Sequence, residues 1–405
     1  MKILKRVTAV LLTAVVAVSF TACGGRSEHA KKLNIDTAVS INIWYQDDAY
    51  TSYLDYIAQQ FHKANEFITV NPVKVEENNL LDAVYNGSIA QNNVADVYLM
   101  EASDMQRAYL MGLTAENDAY TQYYSQKHFP VTAINAACYE GKLYGYPVTF
   151  HTAVMVYNKK YTTAPDNFEQ IEAFLNSYQV TDENKDVDMI VGWDTQDLWT
   201  NYAFGGSYVD NGGTLGEDAK SDVQTEALKA AMTEYAALQN TFGIVDKTQE
   251  EYKQMFMNNQ LIYTILDSTQ LADLNASGVD YGICAVPGAK TGFGTQSLSD
   301  TTLAMVNPYS ENTDTAKAVA QAISYDYADL LEKDTGYISA RTDVADKNKK
   351  VLYQPLYEVY AKSDSYAKYI GADEFYIRYS ILLHNIWKGE DLNESVDAFI
   401  KAVSR

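Results

Sequence analysis

The chain has 405 residues, enough for a large buried core and for two lobes rather than one compact unit. Apolar residues make up 47% and charged residues 21%, a globular composition that excludes a mostly disordered or membrane-embedded chain. Acids outnumber bases 53 to 31, for a formal net charge of -22. Such a surface repels phosphates and anionic headgroups and argues against nucleic acid as a partner. Tyrosine (33) far outnumbers phenylalanine (13) and tryptophan (4), favouring contacts that are partly wet, unless it is only a compositional habit.

Lys2, Lys5 and Arg6 form a basic start, and residues 7–22 are an apolar stretch too short for a stable spanning helix. The stretch ends Ser19-Phe20-Thr21-Ala22-Cys23-Gly24-Gly25. It resembles the bacterial lipoprotein signal, in which small residues precede a cysteine that is diacylated and becomes residue one. The alternative is an ordinary secretory signal with an incidental cysteine. The lipoprotein reading makes 1–22 a signal peptide, Cys23 the lipidation site and 23–37 a tether. It puts the body at the extracellular face of the cell membrane. Losing the three bases takes the net charge to about -25. Cys138 and Cys284 remain, too few for a disulfide framework; two buried thiols are expected, a single bridge being the alternative.

Ser40–Tyr45 reads as a strand, and Leu54, Ile57, Ala58 and Phe61 as one face of a helix. Val70–Glu76 and Ala95–Met100 return as strands, and a helix through Met105, Ala108 and Tyr109 stops at Gly112. Asp166 with Glu169 predicts an N-terminal box for a helix burying Phe168, Ile171 and Leu175. Met189–Gly192 reads as a buried strand, and Val223–Asn240 as a long helix ending near Gly243. Strands follow at Leu261–Leu266 and Tyr281–Val286. From Tyr353 onward the pattern is mostly helical, punctuated by Gly371 and Gly389. Strands joined through helices argue for parallel βαβ units and an α/β fold.

Motifs for chemistry are missing. There is no G-x-S-x-G, H-E-x-x-H, P-loop or C-x-x-C, and the five histidines lack metal-ligand spacing. Asp182, Asn184, Asp186 and Asp188 alternate like a calcium loop, but Val187 and Trp193 occupy its glycine and glutamate positions. A solvated polar loop is the better reading. With no catalytic constellation and no metal, the sequence implies neither an enzyme nor a cofactor.

INIWYQDD at 41–48, Ala95-Asp96-Val97-Tyr98 with Leu110-Met111-Gly112-Leu113, GKLYGYPVTFHTAVMVYNK at 141–159, Tyr281 to Gly288, and Phe375 to Arg378 follow one another in a familiar order. Together they resemble bacterial extracellular solute-binding protein family 1, the maltose-binding-protein-like substrate-binding lipoproteins of ABC transporters. The resemblance implies a two-lobed periplasmic-binding-protein type II fold (Venus flytrap) with several hinge crossings. The lobes would be 38–149 plus 287–324, and 150–286 plus 325–405. It implies a monomer that closes on a sugar and delivers it to ABC permease subunits with their ATPase.

A sugar presents hydroxyls on its rim and C–H groups on its faces, so carboxylates, amides and rings are the expected contacts. Tyr45, Gln46, Asp47 and Asp48 occupy the first ligand loop by resemblance, although Asp47 or Asp48 can instead cap the next helix. Glu101 ends a strand where a cleft carboxylate is expected, or is a solvated acid. His151 stands where the resemblance implies a sugar-binding glutamate; hinge packing is its alternative. Trp193, Asp194 and Trp199 surround a strand end, with buried packing as the competing role for a tryptophan. Asp267 falls in a ligand loop that here lacks the family's tryptophan. Asp300 lies between two crossings, and Phe375, Tyr376 and Arg378 complete the candidates, the two aromatics as stacking platforms or as amphipathic core. The acids among these suit a polyamine or other cationic solute as the alternative ligand.

Overall fold

The computed structural model describes residues 32–76, 79–92, 94–212, 221–344 and 347–403. The signal segment 1–22, Cys23 and the first part of the tether lie outside the described residues. The end of the expected tether is docked: Leu33 and Ile35 pack on the core, and the Leu33 N–H donates to Asn65 Oδ1 at 2.6 Å.

In chain order the strands are β1 (Val39–Tyr45), β2 (Ile68–Lys74), β3 (Val97–Glu101), β4 (Cys138–Tyr139), β5 (Lys142–Leu143), β6 (Tyr146–Asn158), β7 (Met189–Val191), β8 (Val209–Asp210), β9 (Asp222–Val223), β10 (Leu261–Asp267), β11 (Tyr281–Cys284), β12 (Leu298–Val306) and β13 (Asp364–Ser365). The main sheet runs β2-β1-β3-β12-β6-β10-β7, with β11 on β6 and β13 on β12. Strands β1, β2 and β3 are parallel. Their first connection is the helix Thr51–Ala64, which buries Tyr53, Leu54, Ile57 and Phe61 as the 3.6-residue spacing requires.

The sheet is mixed, because β12 enters antiparallel to both β3 and β6. Strand β6 joins the two halves of the molecule. Up to Thr152 it pairs with β12; from Ala153 it pairs with β10, and from Met155 also with β11. The change of partner thus falls inside the strand that contains the expected 149/150 boundary. Near-continuous burial explains why β6 is mostly apolar rather than alternating, with Thr149, His151 and Thr152 interrupting it around the change of partner.

The second crossing leads from β11 to β12, and a third runs past Ser339, which bridges to Thr149. Beyond residue 324, where the sequence places the second lobe, the chain first runs against the helix that follows β1. Helix Ala328–Thr335 packs on Thr51–Ala64, Tyr53 Oη donates to the Ile323 carbonyl at 2.7 Å, and Tyr56 meets Tyr327 edge-on. The next helix, Lys347–Lys362, then packs on β11 and β6.

Two local readings change in detail. The helix Phe168–Ser177 is capped by Asn167, whose side chain accepts from Gln170 N–H, while Asp166 pairs with the Gln170 side chain. The helix Thr225–Phe242 ends at Gly243 in the left-handed region (φ 59°), where a side chain would be strained. Cys138 and Cys284 are both free thiols.

Candidate ligand-binding cleft

The partner change in β6 leaves a gap between the lobes, and a cavity of about 350 Å³ opens there, within the size range of small-molecule sites. Tyr45, Gln46 and Asp47 enter it from the loop after β1, Glu101 from the end of β3, and His151 from β6. Register explains the juxtaposition of the last two. Glu101 lies opposite Thr302 and His151 opposite Asp300, and residues two apart on β12 share a face. Thr302 Oγ1 donates to Glu101 Oε1 at 2.9 Å, while Glu101 Oε2 is buried with no hydrogen-bond partner among the described residues.

Asp47 has two tasks. Its Oδ1 accepts from the Ala49 N–H at 2.9 Å, and its Oδ2 accepts from Tyr337 Oη at 2.7 Å. Tyr50 packs edge-on to Tyr337, and its hydroxyl lies 2.6 Å from Thr149 Oγ1 on β6. Loop, hinge strand and third crossing are therefore tied around one mouth.

The floor is a cluster of titratable groups in low dielectric. Burial, with the charge of Asp300, pushes the Glu101 carboxyl up to about 7. Burial also raises Asp300, against the pull of His151 and of hydrogen bonds from Ser103. His151 behaves oppositely. Burial would lower it, but the charge and hydrogen bond of Asp267, aided by Glu101 and Asp300, raise it to about 9. Asp267 is held below the usual carboxylate range because His151 and Thr269 outweigh its burial.

Asp267 is not among the residues lining the cavity but stands behind His151, 2.9 Å away. Trp199 is half-buried with its ring 4.3 Å from the imidazole, and Tyr366 and Tyr376 continue the stack toward the C-terminal helix. Asp300 is buried beneath the floor, accepting from the Thr301 N–H.

The remaining sequence candidates sit elsewhere. Asp48 points outward and pairs with Lys74 at 2.8 Å. Trp193 is fully enclosed by Phe168, Phe204 and Trp387, and its Nε1–H donates to Asn201; it is a packing residue. Asp194 accepts from the backbone N–H groups of Gln196 and Gln249 and shapes a loop. Phe375 packs against Phe399 and Tyr379, and buried Tyr376 bonds Asn211 and the Ala367 N–H through its hydroxyl. Arg378 is on the outer face, 3.8 Å from Glu374. For the rings the cause is packing: the helix Leu198–Gly206 closes over Trp193, and the helix Ala372–Trp387 turns Phe375 and Tyr376 inward.

Sequence reasoning passed over Tyr50, Asp104, Arg107, Thr149, Thr269, Thr302 and Tyr337, all of which line the cavity. Asp104 and Arg107 carry a signal, since they sit three apart just after a strand end that was already under suspicion. Tyr337 carries none; it arrives from the third crossing.

Residues 56–357 match the family model of the bacterial extracellular solute-binding proteins, and the chain belongs to that family. It is 23% identical over 305 residues to the maltodextrin-binding protein MdxE of Bacillus subtilis (strain 168), covering 71% of this chain and 69% of that protein. Among solved structures it is similar to a cyclo/maltodextrin-binding protein complexed with maltotetraose (TM-score 0.75, 16% identity, 92% of this chain and 98% of the other). An extracellular solute-binding protein from Staphylococcus aureus in complex with maltose is equally alike (TM-score 0.74, 17% identity, 91% and 98%). At such identities the likeness speaks for the fold, the two-lobed α/β periplasmic-binding-protein type II architecture.

Proposed function

We propose that this chain is a lipid-anchored solute-binding protein at the extracellular face of the cell membrane. It captures an oligosaccharide by hinge closure and delivers it to the permease subunits of an ABC importer with their ATPase. The carrying observation is a cavity, at the change of partner in β6, that mixes carboxyls, amides, hydroxyls and rings. That mixture suits a polyol with apolar ring faces. The maltodextrin-binding name of the Bacillus relative supports the same ligand class. Tyr45, Gln46, Asp47, Glu101 and His151 are the proposed contacts, with Trp199 and Asp267 supporting them. The lobes are proposed to divide near the partner change in β6, with the Ala328–Thr335 helix added to the first. The protein acts as a monomer, binds without chemistry and needs no cofactor. Lipidation at Cys23 accounts for its residence, since two acyl chains anchor stably where one does not.

A second reading, a polyamine or other cationic solute, draws on the charge of the lining. Asp47, Glu101 and Asp104 face the cavity, whereas its cations Arg107 and His151 are already paired with Asp82 and Asp267. Thermal unfolding of the mature domain against mono- and oligosaccharides, spermidine and amino acids separates the two. A ligand at 100 times its Kd stabilises the native state by about 2.7 kcal/mol. A shift with oligosaccharides that survives added salt supports the first reading. A shift with spermidine alone, abolished by salt, overturns it in favour of the second.

A further inference from the structure

His151 is the penultimate residue of β6 before its change of partner, and groups from both lobes converge on it. Its Nδ1 lies 2.9 Å from Asp267 Oδ2, which belongs to β10 of the opposite lobe. Asp267 is itself immobilised. Its Oδ1 accepts from the N–H and hydroxyl of Thr269 at 2.9 and 2.7 Å, and its own N–H donates to Gln249 Oε1 at 3.1 Å. Only Oδ2 is left for the imidazole. Trp199 fixes the ring from the side, and among the described residues Nε2 has no hydrogen-bond partner. Nε2 is therefore the nitrogen left for the cavity that His151 lines.

We propose that Asp267 is a positioning residue that keeps His151 as an imidazolium, making Nε2–H a cationic hydrogen-bond donor to a ligand oxygen, beside the acceptor Glu101. The inference rests on the sugar-binding reading and deepens it. A donor-only cation next to a carboxyl recognises a neutral polyol, whose hydroxyl both accepts and donates, and repels an ammonium group at that point. The groups facing the imidazole all favour its charged form: Asp267 from β10, Glu101 from β3 and Asp300 from β12, while Trp199 is uncharged. The elevation of His151 to about 9 agrees with this geometry.

The test pairs nitrogen-detected NMR of the His151 ring with calorimetric titration of maltotetraose, using wild type, D267N and H151Q. Wild-type His151 is expected to stay doubly protonated from about pH 6 to 8, and in D267N to be neutral at about pH 8. The affinity ratio of wild type to D267N should be about tenfold or more at pH 8 and narrow as the variant's imidazole protonates towards pH 5.5. A wild-type ring that is neutral at pH 7, or a ratio that does not change with pH, overturns the proposal. Should D267N fail to fold, H151Q decides. Compared in an E101Q background, so that Glu101 does not titrate, its ratio to the His151-containing parent stays constant from about pH 5.5 to 8 if His151 is charged throughout, and breaks near 6.5 if it is not. Failure of wild type to bind any oligosaccharide overturns the sugar reading instead, and the ring titration still decides the protonation that Asp267 imposes.

Discussion

Tyr337 donates its phenolic hydrogen to Asp47 Oδ2 at 2.7 Å, tying the loop after the first strand to the last of the hinge crossings. The same carboxylate caps the short helix Asp48–Tyr50 through its other oxygen, so Asp47 is oriented from both sides. A side chain held this way enters a complex with little rotamer freedom left to lose.

Y337F keeps the ring against Tyr50 and removes only this hydrogen bond. The lost bond costs about 1 kcal/mol of stability, a small fall in Tm, and Asp47 must then be immobilised on binding at about 0.5–1.5 kcal/mol, so oligosaccharide affinity should fall roughly two- to tenfold. Isothermal titration of Y337F beside wild type measures it. Unchanged affinity would mean that Asp47 needs no support from Tyr337.

The parts of this molecule legible in its sequence are those governed by local periodicity. The Thr51–Ala64 helix, β1 and β10 follow from spacing alone, because each buries one face or the whole strand against a neighbour. Glu101 is legible because it ends a strand, and His151 only through the resemblance of 141–159 to the family's crossing strand. Tyr337 and Thr302 are not, since register across β12 and the path of a late crossing are products of long-range pairing. Trp193 misled for the complementary reason. A strand-end tryptophan looks alike whether the following helix turns it outward or, as here, closes over it.

Trp193 therefore offers a direct check on core against ligand contact. W193A empties a fully buried site and should cost about 3–5 kcal/mol of stability, leaving Asn201 with one donor, Tyr235. Denaturant unfolding reads the loss, and titration well below the lowered Tm should find oligosaccharide affinity within about twofold of wild type. A folded W193A that no longer binds would return this residue to the cleft.

Gly206 ends the helix that carries Trp199, and a Cβ there would stand 2.3 Å from the Gln296 carbonyl oxygen. Backbone cannot yield as a side-chain tip can, so G206A must push the helix away from the segment entering β12. Overpacking of this kind costs about 1–3 kcal/mol. The displaced Trp199 should also loosen its contact with His151, so a lower Tm together with weaker oligosaccharide binding is expected. Thermal scans with and without ligand test both. A G206A variant as stable as wild type would show that the close approach relaxes freely.

The buried carboxyl of Glu101 makes stability depend on pH with a definite sign. Its folded-state value of about 7 lies above the ordinary 4.5, so the folded protein binds the proton more tightly than the unfolded chain. The stabilising contribution is complete below about pH 4.5 and is lost as pH rises through 7. His151, raised to about 9, acts in the same direction at higher pH, its contribution fading from about 6.5 upward. Wild-type Tm should therefore fall from pH 5 to 9.5 beyond what surface charge explains. E101Q keeps a partner for Thr302 but cannot ionise, so it should raise stability at pH 8 by roughly 1–3 kcal/mol and leave it nearly unchanged at pH 4. Differential scanning calorimetry across this range decides. An E101Q variant less stable than wild type at pH 8 would mean that the charged carboxylate is stabilised by its surroundings and that the sign is reversed.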